Sequence, residues 1–395
     1  MSQPDNRLRA FVTTSPGLEP ALVGELAELG FRDLKKGRAG VSLATDRQGL
    51  ERLTVSTRLG HRVLWQVADV LATDGDTLYR QARDAVRWAG LIPATGAAPK
   101  TFAVSATCRD TPAFRDSRYA ALRVKDAICD AVRAAQGERP NVDVDDPDVS
   151  VRVSIAGGRG IISLDAAGRQ SLHARGYRTD KGEAPLRETL AAALPVLAGW
   201  DLQSPLVDPM CGSGTIVIEA ALRAYGVLPA ALSGLRGGWG FMRWPGHRPE
   251  RFARLLADMS GTSGEGARGA VIAGAELDAA ALATARVNAE RAGVAGRIEL
   301  LQGDARDREH IARLARGNRG LFVTNPPWGR RLGPGNDPAE LVVAAMDAWR
   351  EVKPGWRVAI LLPDDGTAQA LKMKKPRLVP LEAGALAVTL AVGEL

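Results

Sequence analysis

Cysteine is scarce, with three in 395 residues. Cys108, Cys129 and Cys211 are far apart and odd in number, so they offer no disulfide framework and no Cys-x-x-Cys metal knuckle. Reduced thiols are expected. The four histidines, His61, His173, His247 and His310, have no ligand spacing, and no metal site is expected. Long apolar runs are also missing: residues 190–200 are interrupted by Pro195 and fall well short of the ~20 that a spanning helix needs. No membrane partner is expected. The opening residues 1–10 are polar, carrying Asp5, Arg7 and Arg9 with no apolar run behind a basic head. A secretory leader is not expected, and a cytoplasmic location is. Strong charge imbalance is absent too, since 52 basic and 45 acidic residues leave +7. That excess permits a polyanionic partner such as RNA without requiring one.

What is present has the average make-up of globular domains, 45% hydrophobic and 25% charged, in a length that suits two or three domains. A strand over 9–14 and a helix over 18–29, with Leu18, Leu22, Leu26 and Leu29 on one face and Gly30 as its stop, open an α+β region. Strands over 63–71 and 101–107, helices over 76–88 and 116–135, and a hairpin of 149–155 with 160–164 around Gly157-Gly158 follow. Beyond about Lys181 the rhythm becomes regular. Helices over 184–198, 215–224, 278–292 and 338–352 alternate with strands over 205–208, 270–276, 297–302, 321–325 and 357–362, and strands over 377–381 and 385–392 close the series. This is a doubly wound α/β pattern.

Residues 226–269 interrupt it with a glycine-rich stretch holding Trp239, Phe241 and Trp244 and a short helix over 249–259. Its length argues for an ordered insertion. The three rings could stack a flipped base, although a small core is the favoured reading. Two basic stretches, one of Arg169, His173, Arg175, Arg178 and Lys181, the other of Lys372, Lys374, Lys375 and Arg377, could bind phosphates or be solvated faces.

The chemistry gathers at strand ends. Asp208, Pro209, Met210, Cys211, Gly212, Ser213, Gly214 and Thr215 form an acidic turn with two glycines between an apolar strand and a helix, where a ligand could approach the backbone. A tight turn in any α/β protein has the same form. Ile216 and Val217 follow, so the Gly-x-Gly-x-x-Gly pyrophosphate fingerprint is incomplete and a dinucleotide is not expected. Glu276, followed by Leu277, ends the next strand, where a carboxylate can accept from both ribose hydroxyls of a nucleoside. Asp278 reads equally as a helix N-cap. Asp304, followed by Ala305, could accept from an adenine amine or be a plain loop acid. In Thr324-Asn325-Pro326-Pro327-Trp328-Gly329, two prolines end the strand and stiffen the turn. An amide oxygen beside a rigid carbonyl can accept both hydrogens of a planar exocyclic amine, while an aromatic ring stacks on the base.

These motifs resemble those of class I S-adenosylmethionine-dependent methyltransferases with an Asn-Pro-Pro-aromatic amine motif. The stretches Ala121-Leu122-Arg123-Val124-Lys125-Asp126-Ala127-Ile128, Gly137-Glu138-Arg139-Pro140, Ser171-Leu172-His173-Ala174-Arg175-Gly176-Tyr177-Arg178 and Glu183-Ala184-Pro185-Leu186-Arg187-Glu188-Thr189 are similar to those of THUMP-containing RNA guanine-N2 methyltransferases. The likeness is closest to bacterial enzymes acting on 23S ribosomal RNA. It runs from about Ser15 to the end, with Trp328 where that family usually has Tyr. Longer members can carry a second methyltransferase domain that these residues do not contain.

The resemblance implies a ferredoxin-like region over 1–60, a THUMP domain over 61–168 and a Rossmann-like methyltransferase domain over 169–395, with the insertion at 226–269. It implies S-adenosylmethionine as cofactor, RNA as partner, and methyl transfer to a guanine N2 amine held by Asn325 and the Pro326 carbonyl, with Pro327 stiffening the turn and Trp328 stacking. Asp208 would lie at the methionine end of the cofactor, Gly212 and Gly214 beneath it, Glu276 on the ribose and Asp304 on the adenine. Alternatives are a tRNA guanine, an adenine N6 or a protein glutamine as acceptor, or a non-catalytic assembly factor.

Overall fold

The computed structural model describes residues 7–178, 186–232, 238–261, 270–327, 338–363, 365–384 and 386–395. Trp328, Lys181 and the stretch 183–185 lie outside them. The chain forms two compact units, one of Met1–Thr13, Leu26–Leu172 and Gly237–Leu255, the other of Thr14–Glu25, His173–Arg236 and Leu256–Leu395. Among the described residues no helix is long and apolar enough to cross a membrane.

In the first unit, β1 (Leu8–Thr13) alternates buried Ala10 and Val12 with more exposed Arg9 and Phe11, the period of a strand covered on one face. It lies inside a seven-stranded sheet ordered β2-β3-β1-β4-β7-β6-β5. The other strands are β2 (Lys35–Gly37), β3 (Gly40–Thr45), β4 (Arg62–Leu71), β5 (Phe102–Arg109), β6 (Val149–Ala156) and β7 (Arg159–Asp165). Only β5 and β6 pair in parallel. The expected ferredoxin-like and THUMP regions thus share one continuous sheet, joined where β4 pairs with β7.

The second unit carries β8 (Leu206–Asp208), β9 (Ile272–Glu276), β10 (Glu299–Gln302), β11 (Leu321–Thr324), β12 (Arg357–Leu362), β13 (Lys374–Ala383) and β14 (Leu386–Glu394). Their order is β10-β9-β8-β11-β12-β14-β13. All pairs are parallel except those of β14, which is antiparallel to both neighbours. This is the class I methyltransferase sheet. From β8 the chain moves to β9 and β10 on one side and to β11 and β12 on the other. That reversal opens a crevice at the carboxyl ends of β8 and β11. Phe322 on β11 anchors the core, with ring centroids 5.0 Å from both Trp349 and Trp356.

Each unit borrows a piece of sequence from the other half of the chain. Thr14–Glu25 belongs to the second unit, where Gly17 is pressed on β13 so closely that a Cβ would lie 2.3 Å from the Pro380 carbonyl oxygen. In the other direction, Gly237–Leu255, expected inside the methyltransferase domain, packs in the first unit. Its Phe241 N–H donates to the Ala166 carbonyl, and Gly240 and Gly168 meet with no room for a Cβ on either. Arg243 pairs with Asp146, and the Trp244 ring sits 5.9 Å from Trp65. Arg251 donates to both oxygens of Glu51, whose side chain is 1% exposed, at 3.1 and 3.2 Å.

Candidate active site

Asp208, the last residue of β8, is 1% exposed. Its Oδ1 accepts the Met210 N–H at 3.1 Å. Burial pushes its carboxyl up to about 7; the Thr324 hydroxyl and the Met210 N–H pull it down, and the Glu276 charge adds to the rise. The turn that follows is pinned from two sides. Cys211 N–H donates to the Ala275 carbonyl on β9 at 2.8 Å, and the buried Asn288 amide donates to the Ser213 carbonyl at 3.0 Å. Gly212 and Gly214 take φ of 54° and 82°, the left-handed region that glycine enters freely. A Cβ on Gly214 would crowd Ala285 at 3.1 Å, whereas one on Gly212 would meet nothing within 4 Å. Gly214 serves packing, and Gly212 faces open space above the turn. Thr215 then begins the helix Thr215–Ala224.

Glu276 ends β9 and reaches across to this turn, its Oε2 accepting the Gly212 N–H at 2.9 Å and its Oε1 the Asp278 N–H at 3.0 Å. Beside it Leu277 is 61% exposed. Asp278 is the N-cap of the helix Ala279–Arg291, accepting from Ala280 and Ala281 N–H. Past β10, the Asp304 carboxylate is held by Arg306 through its backbone N–H, its Nε and its terminal guanidinium nitrogen. Those hydrogen bonds hold the Asp304 carboxyl below its usual range. Ala305 is buried, and its carbonyl accepts the Trp349 indole N–H at 2.8 Å.

Asn325, Pro326 and Pro327 leave the end of β11, directly after buried Thr324. Because β8 and β11 are paired neighbours, the acid turn and the amine motif open into the same crevice. Pro209, Met210 and Cys211 make up the turn itself, and burial pushes the Cys211 thiol well up, with the Asp208 and Glu276 charges adding to it. Burial of this kind disfavours the thiolate, the nucleophilic form.

Asn288 was invisible to motif reading, since a lone amide inside a helix carries no signal until the helix is docked on the turn. Trp239, Phe241 and Trp244 are 5%, 0% and 3% exposed, so the small-core reading holds and base stacking does not: Trp239 and Phe241 pack with Phe252 and His247, and Trp244 with Trp65. Other expectations need correction. That core belongs to the first unit rather than to the insertion alone. Arg175, read as a candidate phosphate ligand, is buried against Glu219, which also accepts the Tyr177 hydroxyl at 3.1 Å. Arg178 donates to the Leu186 carbonyl. The remaining basic stretch stays exposed at Lys372, Lys374 and Lys375. Among the described residues no group of His, Cys, Asp and Glu could hold a metal.

Three family patterns match in order: an RlmL ferredoxin-like domain over residues 9–64, a THUMP domain over 72–165, and an RMKL-like methyltransferase domain over 175–391. The chain is 37% identical over 377 residues to the ribosomal RNA large subunit methyltransferase K/L of Marinobacter nauticus, covering 92% of this chain and 50% of that one. It is 36% identical to the protein of the same name from Syntrophotalea carbinolica, covering 97% of this chain and 53% of that one. The chain therefore spans about half the length of the curated relatives it matches. A solved structure described as a possible methylase from Clostridium difficile 630 superposes with a TM-score of 0.85 at 26% identity, over 98% of each chain. The methyltransferase match takes in more than half of the sequence, and the chain belongs to the RMKL-like methyltransferase family.

Proposed function

We propose that this protein transfers a methyl group from S-adenosylmethionine to the exocyclic N2 amine of a guanine in structured RNA, with 23S ribosomal RNA as the favoured substrate. The observation that carries the reading is the meeting of two acids and an Asn-Pro-Pro turn on neighbouring strand ends: Asp208 on β8, Glu276 on β9 and Asn325 after β11. The name of the curated relatives supports ribosomal RNA as the substrate class.

The residues present fit a nucleoside cofactor. Gly212 leaves open space above the turn, Glu276 offers carboxylate oxygens for ribose hydroxyls, Leu277 offers an exposed apolar surface for a base, and buried Asp208 offers a negative charge for the cationic methionine end. When bound, S-adenosylmethionine supplies an electrophilic methyl on a good leaving group. The protein's own task is then proximity and orientation. Guanine N2 is a poor nucleophile because its lone pair is delocalised into the ring. The Asn325 side-chain oxygen and the Pro326 carbonyl would accept its two hydrogens and turn the lone pair toward the methyl. Pro327 fixes the direction of both acceptors, and Trp328 would stack on a base drawn out of its helix.

The test compares modified nucleosides in total RNA from cells with and without the gene. Loss of N2-methylguanosine from 23S ribosomal RNA is the expected result, and loss from transfer RNA instead would move the substrate.

A further inference from the structure

The ends of β9 and β10 are laced together. The Gly303 N–H donates to the Glu276 carbonyl at 3.1 Å, and the Gln302 side-chain amide donates to the Leu277 carbonyl at 3.2 Å. Just beyond, the Asp307 N–H donates to the Asp304 carbonyl at 3.1 Å, and the Trp349 indole holds the Ala305 carbonyl. Asp304, which the cofactor reading places on the adenine, thus lies in a turn fastened on both sides. A further support comes from the helix Arg308–Leu314.

His310, in that helix, is 5% exposed and lies against Gly303. A Cβ built on Gly303 would fall 2.4 Å from both Cε1 and Nε2 of the ring and 2.6 Å from Cδ2. Gly303 does not have the positive φ that would itself call for glycine, so the ring is what leaves no room for a side chain there. The His310 Nε2 is buried and has no hydrogen-bond partner among the described residues. An unpaired buried nitrogen costs stability, and stability alone would favour an apolar side chain at this position. Burial holds the imidazole below its usual range, with the Arg313 charge adding to this and Asp307 and Asp304 opposing it. A ring that is neutral at pH 7 leaves the Asp304 carboxylate to Arg306 and to an incoming amine.

We infer that His310 is a positioning residue for the base of the cofactor: its ring is the floor on which Gly303 rests, and it fixes where the following Asp304 meets the exocyclic amine of adenine. It acts through Gly303 rather than by touching the base. Without the ring, a glycine, the residue least restrained in its backbone, would lie over a void, and Asp304 would lose its direction while the strands beneath it kept their pairing. This deepens the reading of S-adenosylmethionine as the cofactor with Asp304 on its adenine, and rests on it.

Calorimetry of the full chain with S-adenosylhomocysteine and with S-inosylhomocysteine, in which a carbonyl oxygen replaces the adenine amine, tests it. The wild type should bind the adenine compound roughly 5- to 150-fold tighter, the worth of a hydrogen bond to a charged group. His310→Ala should lose most of that ratio, which compares two ligands on one preparation and so does not depend on the fraction of chain that has folded. Gly303→Ala should lower the ratio too, because its methyl has no room beside the ring. Combining the two should restore part of it, since the methyl then enters the space the imidazole has left, a coupling that two independent defects would not show. A wild-type ratio in either single variant, or a double variant no better than Gly303→Ala, would overturn the assignment and leave the cofactor reading standing. A wild type that binds both compounds equally would overturn the placing of Asp304 and this role of His310 with it, and one that binds neither would overturn the cofactor.

Discussion

The Gly212 N–H donates to Glu276 Oε2 at 2.9 Å, so the acid at the end of β9 is fastened to the glycine turn at the end of β8. The proposed ribose ligand and the backbone beneath the cofactor are therefore positioned as one piece. Replacing Glu276 removes both functions together. Glu276→Ala should weaken S-adenosylmethionine binding by about 1–3 kcal/mol, the range for charged hydrogen bonds. Glu276→Gln keeps one acceptor and should lose less. Calorimetry on the two variants checks the order.

The proposed place of Asp208 at the cationic end of the cofactor predicts an affinity that depends on pH. The Asp208 carboxyl holds a proton up to about 7, whereas a cationic ligand favours the ionised form. Affinity should rise with pH, by up to about tenfold per unit below 7, and level off above it. Binding measured in buffers of different ionisation enthalpy should show proton release below pH 7 that vanishes in Asp208→Asn.

The same group acts on stability with the opposite preference. The folded carboxyl is raised from 3.8 to about 7, so the folded chain binds the extra proton within that window. Stability therefore falls as pH climbs from about 4 through 7, and ionised Asp208 opposes folding above it. Asp208→Asn should unfold at a higher temperature than the wild type at pH 8, even though it binds the cofactor less well. Equal unfolding midpoints at pH 8 would remove the buried charge as a source of strain.

The exchanged segments make the two halves of the sequence poor fragments. A fragment ending at Leu172 lacks Gly237–Leu255 and leaves the pairing face of buried Glu51 without Arg251 and His247. It should bind hydrophobic dyes and melt without a sharp transition. Adding a peptide of residues 237–255 should restore cooperativity. In the full chain, Trp244→Ala should destabilise by about 3–5 kcal/mol, as large core deletions do.

Much of the catalytic sheet was legible because its signals are local. The helices Thr215–Ala224 and Pro338–Val352 and the strand Arg357–Leu362 fall on the residues that periodicity marks. Weaker signals were missed. The helix Arg47–Ser56 follows Asp46, whose side chain accepts the Gly49 N–H, but Gly49 and the polar Gln48 dilute its apolar stripe. Strand β2 has only three residues, and a tight turn joins it to β3. Trp244 could not be assigned a partner, because Trp65 and Arg47 lie far away in sequence. The strand-end acids were readable for the opposite reason: a doubly wound sheet puts the ends of β8, β9 and β11 in one crevice whatever the loops between them contain.

The amine chemistry is most exposed at Asn325. Asn325→Ala removes one acceptor while sparing the glycine turn and Glu276, so cofactor affinity should persist. The rate should fall by at least the roughly 5- to 150-fold that a lost hydrogen bond of about 1–3 kcal/mol implies, with misorientation of the nucleophile adding to it. Single-turnover kinetics at saturating cofactor separate the two effects.

Transfer of a labelled methyl group to matched RNAs that carry either guanine or inosine at the target position goes to the centre of the matter, since the two bases differ only by the N2 amine. Guanine should be methylated and recovered as N2-methylguanosine, and inosine should accept nothing. A methylated inosine, or label recovered on any other atom, would contradict an exocyclic N2 amine held by Asn325 and the Pro326 carbonyl.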